Sequence, residues 1–407
     1  MDNLISILGS AIPFIIVISI VITVHELGHY WVGRWFGAAV ESFSIGFGRP
    51  IFEVKDKRGT RWRVNWLPLG GFVKFVGELQ APTDSRNQGV ADPNVDITEI
   101  HGAEGEPTVK LVGKPYTELG PLKRLAVSLG GPFANFVFAV VVFAALGMAM
   151  GVAQSKEVLV NGTVAGSAAE AAGFKPGDIL LQAGGRTVTS ATDVQRATVL
   201  NAGEEVRYRV LRGGEQIELI AVPKSESTYN KDLKVRESIG RIGIDLGERE
   251  TEIRRLNPIE AVGYGFWRTG DALDATVTVL RRLVTGKDGL DKLSGPLGIF
   301  TVADNGTDLH MKQEGVSFDK RLIGAALWLI NLSALLSIGV GFFNLLPIPV
   351  LDGGAAVMCI AEAATGREVP EKVQKVGLTI GLACLVSFAL VITWQDITRL
   401  PMWAGAP

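Results

Sequence analysis

The sequence predicts a multi-pass α-helical membrane protein with four transmembrane helices, a β-hairpin in the loop after the first of them and one small inserted α/β domain. Three observations predict it. Uncharged stretches of spanning length recur at four places, the polar sequence between them carries strand-like runs, and the first stretch leads straight into His25-Glu26-Leu27-Gly28-His29. Of 407 residues, 47% are hydrophobic, and the 40 Lys and Arg and 42 Asp and Glu cluster between the apolar blocks. That pattern suits a membrane protein with a polar insert, long enough for two or more domains.

The blocks run from Leu4 to Val24, Leu125 to Ser155, Leu322 to Leu351 and Val376 to Gln395, all without Asp, Glu, Lys or Arg. Each can cross a hydrocarbon layer about 30 Å thick. We place the helices at 1–37, 125–155, 321–354 and 376–398. The first is a permanent span, because Met1-Asp2-Asn3 lacks the positive leader of a signal peptide and the apolar run ends at His25 instead of a small-residue cleavage site. Arg34, Arg49, Lys55, Lys57 and Arg58 follow it, and Lys114, Lys123 and Arg124 precede the second block. Positive charge marks the inner side, so the 38–124 loop is cytoplasmic, and both termini and the 156–320 segment lie outside. Cys359 and Cys384 fall in or beside the last two blocks and form no disulfide framework. A net charge of −2 gives no case for nucleic acid.

On a helix, His25 and His29 share a face one turn apart, so both imidazoles can bind one metal while Glu26 activates its water. Ionisable groups at this depth are costly and mark function. The alternative is a chance match in a soluble helix, which the apolar surroundings disfavour. A catalytic zinc needs a third protein ligand. A soluble-zincin extension would require Gly at 32 and His at 35, where the chain has Val32 and Trp35. His101 lies in a polar loop and His310 in the outer segment. Asp352 remains, in Asn344-Leu-Leu-Pro347-Ile-Pro-Val-Leu-Asp352-Gly353-Gly354, where prolines and glycines break the helix and a carboxylate needs a partner. Zinc on His25, His29 and Asp352 would bring the pKa of its water to about 7. Glu26 would take that proton and pass it to a leaving amine.

Between Arg61 and Gly77, two strand-like pieces flank Pro68, Gly70 and Gly71, a hairpin over about 43–78 whose edge would hold an added chain extended. Asn344 and Asn135 are amides at membrane depth, suited to bonding such a chain or to packing helices. Residues 157–247 carry strand-like runs around Gly166-Ser-Ala-Ala-Glu-Ala-Ala-Gly173-Phe-Lys-Pro-Gly177-Asp178. This string resembles a PDZ domain, and Gly240-Arg-Ile-Gly243-Ile244 fits the peptide-binding strand that comes last in permuted bacterial forms; a generic α/β domain is the alternative. In 252–320, apolar residues from Ile259 to Val284 recur at helical spacing after Asn257-Pro258. That amphipathic helix lies on the membrane surface or packs on the small domain.

Together the His25–His29 motif, Leu351-Asp352-Gly353-Gly354 and a PDZ-like insert resemble the site-2 protease family of intramembrane zinc metalloproteases. The bacterial regulator of sigma-E protease branch is most similar, in a single-PDZ type, with further matches at Gly46-Phe-Gly48, Gly130-Gly-Pro132-Phe-Ala-Asn135 and Ser294-Gly-Pro-Leu-Gly-Ile299. The resemblance implies Zn2+ as cofactor, a membrane-re-entrant hairpin, and placement in the bacterial inner membrane with the PDZ-like domain on the periplasmic side. It also implies transmembrane substrates with short outer portions, such as anti-sigma factors or remnant signal peptides, trimmed first by an upstream site-1-type protease. The best-known enterobacterial members have two PDZ domains where this chain has room for one. Two other classes stand beside it. A non-proteolytic PDZ adaptor gives no reason for Asp352 to meet the histidines, and a metal transporter would need further ionisable residues in the spans.

Overall fold

A computed structural model describes residues 2–77, 90–91, 97–100, 109–230, 235–290, 293 and 295–399. His101 and Ser294 lie outside the described residues. Among the described residues, four helices are long and apolar enough to cross a membrane, with spans at Ala11–Trp35, Pro121–Met150, Phe318–Asn344 and Glu371–Thr398. The chain divides into two compact units, 1–142 with 306–391 and 143–305 with 392–407.

In the first unit, helix α1 (Asp2–Trp35) is followed by strands β1 (Val40–Lys55) and β2 (Arg61–Phe75). Both strands bend, so residues 42–45 pair with 71–74 on one side and 61–64 on the other, and 61–64 also pair with 52–55. The bend falls at Gly46 and at Asn65 to Gly70; Gly46 has φ of +82°, and a Cβ there would meet the Leu67 carbonyl at 2.5 Å. Tyr30, Val40, Phe43, Val73, Phe75 and Val127 form a core that fastens the strands to α1. The second half of β2 runs along α1. Ser19 Oγ donates to the Pro68 carbonyl at 3.2 Å, a side chain at Gly71 would press on Ile22, and Gly33 accommodates the Phe75 ring. From Ser19 to Gly33 α1 rises about 21 Å, and from Pro68 to Phe75 an extended strand covers about 24 Å, so the two match in length. Short strands β3 (Val90–Ala91), β4 (Ile97–Ile100) and β5 (Val109–Val112) form a separate antiparallel sheet.

Helix α2 (Pro121–Met150) meets α1 at paired glycines: a Cβ on Gly28 would lie 2.2 Å from the Gly130 carbonyl, the close approach that small residues permit between membrane helices.

The second unit holds an antiparallel sheet in the order β10-β9-β7-β6-β13, with β8 beside β7. Its strands are β6 (Val152–Thr163), β7 (Ile179–Ala183), β8 (Arg186–Thr187), β9 (Val206–Arg212), β10 (Glu215–Ala221) and β13 (Ile244–Arg254), with β11 (Lys224–Asn230) and β12 (Val235–Arg241) as a separate hairpin. The sheet encloses Val158, Val160, Phe174, Leu180, Tyr208, Val210 and Ile242 with helices α3 (Ala168–Ala172) and α4 (Ala191–Val199). Ser167 caps α3, Gly173 ends it at φ +83°, and Asp178 binds Arg212 and the Lys175 N–H before β7 opens. The expected limits of 157–247 are too narrow, because β6 and β13 pair from Val152 with Arg254 onward and form a two-stranded stalk.

Helix α5 (Pro258–Val284) begins as the sequence indicates, with Asn257 and Glu260 in a capping box. Its polar face grips the small domain. Asp271 receives Arg186 and Arg196, Arg186 also reaches Asp274, and buried Arg282 bonds Glu204 and the Ala202 carbonyl. Ile259, Val262, Phe266 and Val284 are exposed on its other side. A further helix, α6 (Pro296–Met311), occupies what reads in the sequence as connector, since Asp396 accepts from the Gly295 and Gly298 N–H groups at its start.

The third span differs from its expected 321–354 limits. Helix α7 (Phe318–Asn344) stops at Asn344, and Asp352 opens a separate helix, α8 (Asp352–Thr365), ahead of α9 (Glu371–Arg399). Side chains at Gly353 and Gly354 would stand 2.3 Å from the Leu345 and 2.2 Å from the Ile348 carbonyl, so the glycine pair is what lets the chain turn so tightly.

Candidate metal and active site

The three candidate ligands come from distant stretches of chain, and packing brings them together. His25 and His29 follow each other up one face of α1, while Asp352 reaches them from the first turn of α8. Among the described residues they form a group able to hold a metal ion. His25 Nε2 lies 3.0 Å and His29 Nε2 3.3 Å from Asp352 Oδ2, and the two Nε2 atoms are 3.2 Å apart. A tetrahedral zinc with bonds of about 2.0–2.2 Å separates its ligands by about 3.3–3.6 Å, so this triangle has nearly the size of one tetrahedral face. Asp352 Oδ2 is buried and has no well-aligned hydrogen bond, although both imidazoles are near. Two imidazoles edge to edge with a carboxylate are the donor set of a catalytic zinc site, and they fit that ion.

Each ligand has an outer partner. The Val127 carbonyl lies 2.8 Å from His29 Nδ1, which places the proton there and leaves Nε2 as the donor. Asn135 Nδ2 lies 3.1 Å from His25 Nδ1; with the amide turned over, its oxygen would accept from Nδ1–H and free His25 Nε2 in the same way. Ser128 Oγ donates to the Asp352 carbonyl at 2.8 Å. A Cβ at Gly131 would lie 2.3 Å from His29 Nε2 and 2.8 Å from His25 Nε2, so this glycine makes room for both rings.

Glu26 points to the strand beside it, with Oε2 accepting the Val73 N–H at 3.1 Å. A cavity of about 430 Å3 takes in His25, Glu26, His29, Asp352, Gly70 to Val73 and Asn344. Gly70 and Gly71 therefore lie on its strand wall and Asn344 on its helix wall. Asn135 is elsewhere: it is fully buried and faces His25, not the cavity. Gly243 and Ile244 belong to the second unit, where Gly243 has φ of +75° and Ile244 opens the edge strand β13. Gly131, Val127 and Ser128 escaped the sequence reading. The run Gly130-Gly131-Pro132 was visible, but its meaning depends on which helix packs against it.

The chain is 37% identical to "Metalloprotease MmpA" of Caulobacter vibrioides over 95% of both chains. It is 35% identical to an Agrobacterium fabrum protein whose name describes a zinc metalloprotease, over 96% of both. With "Regulator of sigma-W protease RasP" of Bacillus subtilis it shares 30% identity over 96% of this chain and 99% of that one. Residues 13–388 match the family described as Peptidase family M50, so the chain is a membrane zinc metalloprotease of that family, the site-2 proteases.

Proposed function

We propose that this protease hydrolyses peptide bonds inside transmembrane segments, with His25, His29 and Asp352 holding the zinc and Glu26 acting as general base and then acid. The convergence of those three donors on one point carries the reading. Bound there, zinc would supply Lewis acidity and would lower the pKa of a water to about 7. Glu26 would accept a proton as general base and return it to the leaving amine as general acid. Val127 holds His29 in the tautomer that keeps its Nε2 unprotonated, a turned-over Asn135 amide would do the same for His25, and Ser128 fixes the backbone that carries Asp352.

A helical substrate hides its carbonyls in its own hydrogen bonds, so it must be extended before attack. The β2 edge from Gly70 to Val73 does this by strand addition, lying in the cavity wall alongside α1 at membrane depth. Asn344 contributes an amide to the same chain from the opposite wall. The small domain takes the PDZ role. Gly243 and Ile244 start a sheet-edge strand suited to peptide addition, and the polar face of α5 supports the domain while its apolar side rests in the outer membrane surface. The charge pattern of the loops puts this domain and both termini on the periplasmic side of a bacterial inner membrane. A domain there obstructs substrates with bulky outer portions, which favours proteins already trimmed by a site-1-type protease.

The test is Asp352→Asn in the purified full-length protein. Zinc per chain and cleavage of a transmembrane substrate should fall together. Stoichiometric zinc retained in the variant would assign the third ligand elsewhere.

A further inference from the structure

The hydrogen bond between Glu26 and Val73 joins two parts of the site that have separate jobs in the reading above, on which this inference rests. Successive strand residues direct their N–H and C=O groups to opposite edges. In β2, Phe72 and Lys74 are partnered with Ser44 and Ser42 of β1, with Val73 opposite Phe43 between them. The Val73 N–H goes instead to Glu26 Oε2, so it points away from β1 and toward the cavity. An extended substrate joining this edge needs that same N–H for one of its carbonyls. Glu26 and the substrate therefore compete for a single donor at the centre of the binding edge.

The surroundings make the competition local. Glu26 Cγ lies 3.5 Å from where a Gly71 side chain would begin, and Ile22 closes the same spot at 3.2 Å, so strand and helix are in contact and the carboxylate reaches its partner with no intervening space. The N–H faces a cavity large enough for a peptide backbone. A carboxylate is the stronger acceptor, since hydrogen bonds to charged groups exceed those to neutral carbonyls.

We propose that the Val73 N–H is a positioning group that parks Glu26 in the substrate-free enzyme, and that strand addition releases the base by taking over this donor. Base release is thereby tied to the presence of an extended backbone, and a helical segment, which offers no unpaired carbonyl, leaves Glu26 parked.

The experiment measures binding by the zinc-free full-length protein, in which nothing is cleaved, using a short fluorescent peptide of alanine, glycine and leucine. Removing the competitor in Glu26→Ala should tighten peptide binding about tenfold, the worth of one charge-assisted hydrogen bond. Glu26→Gln, which keeps a weaker acceptor, should fall between the two. Replacing the Val73 amide by the ester of valine's hydroxy-acid analogue removes the N–H and should abolish the difference between Glu26 and its Ala variant. Equal binding by all three side chains, or a difference that persists in the ester, overturns the inference and leaves the strand-edge reading standing. Failure of the peptide to bind any form overturns both.

Discussion

Gly131 of α2 faces the His29 ring so closely that a single added carbon would lie 2.3 Å from Nε2, the atom that meets Asp352. The glycine is a condition for the ligand triangle, since a methyl group there must displace one imidazole or separate the helices. Gly131→Ala should therefore lower zinc affinity by at least about 100-fold, the upper range for disturbed ligand support, with activity falling in parallel. Zinc content at defined free zinc, with protease resistance as a check on folding, measures this. Wild-type zinc affinity would show that α2 yields more readily than its contact with Gly28 suggests.

Glu26→Gln separates metal binding from proton transfer. The amide keeps the shape and can still accept from Val73, but it takes no proton. Zinc should stay at one per chain while cleavage drops by about 10²–10⁴, the usual contribution of a general base. Turnover comparable to wild type would remove Glu26 from the mechanism.

The small domain carries its own acid-sensitive lock. Burial pushes the Asp178 carboxyl up, but the Arg212 guanidinium and the Lys175 N–H outweigh that and hold it below the ordinary carboxylate range. A carboxyl with a lowered folded pKa contributes stability in full above its unfolded value of about 3.9 and loses it as the pH falls through the folded one. Protease resistance of the domain in the full chain should thus decline in strong acid. In Asp178→Asn that part of the decline should vanish. Arg212→Met, which leaves the buried carboxylate with the Lys175 N–H but no guanidinium, should lower protease resistance of the domain at neutral pH.

Much of the site was legible because its signals are local and incompatible with their surroundings. Two histidines and a glutamate at helical spacing in an apolar run have few structural uses, and the same logic singled out Asp352 among prolines and glycines. The start of α5 was equally plain, because Asn257, Pro258 and Glu260 act within one turn. What stayed hidden depends on contacts between distant segments. Asn135 reads as an amide at membrane depth that bonds a substrate or packs helices, and what its pattern does not show is its neighbour His25, 110 residues away. Gly353 and Gly354 read as helix breakers at the end of the third span, and only the nearby carbonyls of Leu345 and Ile348 show that they permit a tight turn into a separate helix. The direction of α5 was also open in its pattern. Its ion pairs with Arg186 and Arg196 assign the polar face to the domain.

Those ion pairs decide how the filtering role of the small domain should be tested. Residues 156 and 248 stand next to paired positions in the β6–β13 stalk, where Glu157 is opposite Arg249, so a short turn can replace 157–247 and close the ribbon. The same deletion removes Arg186 and Arg196 and leaves Asp271 with Arg268 as its partner. An α5 weakened by that loss would imitate loss of a receptor, so the deletion protein must first match the intact one in zinc content and in protease resistance of α5. Under that condition, cleavage of a trimmed transmembrane substrate should stay near the wild-type rate and cleavage of its untrimmed form should rise. If a folded, zinc-loaded deletion protein cleaves neither, the domain recruits substrates and does not exclude them.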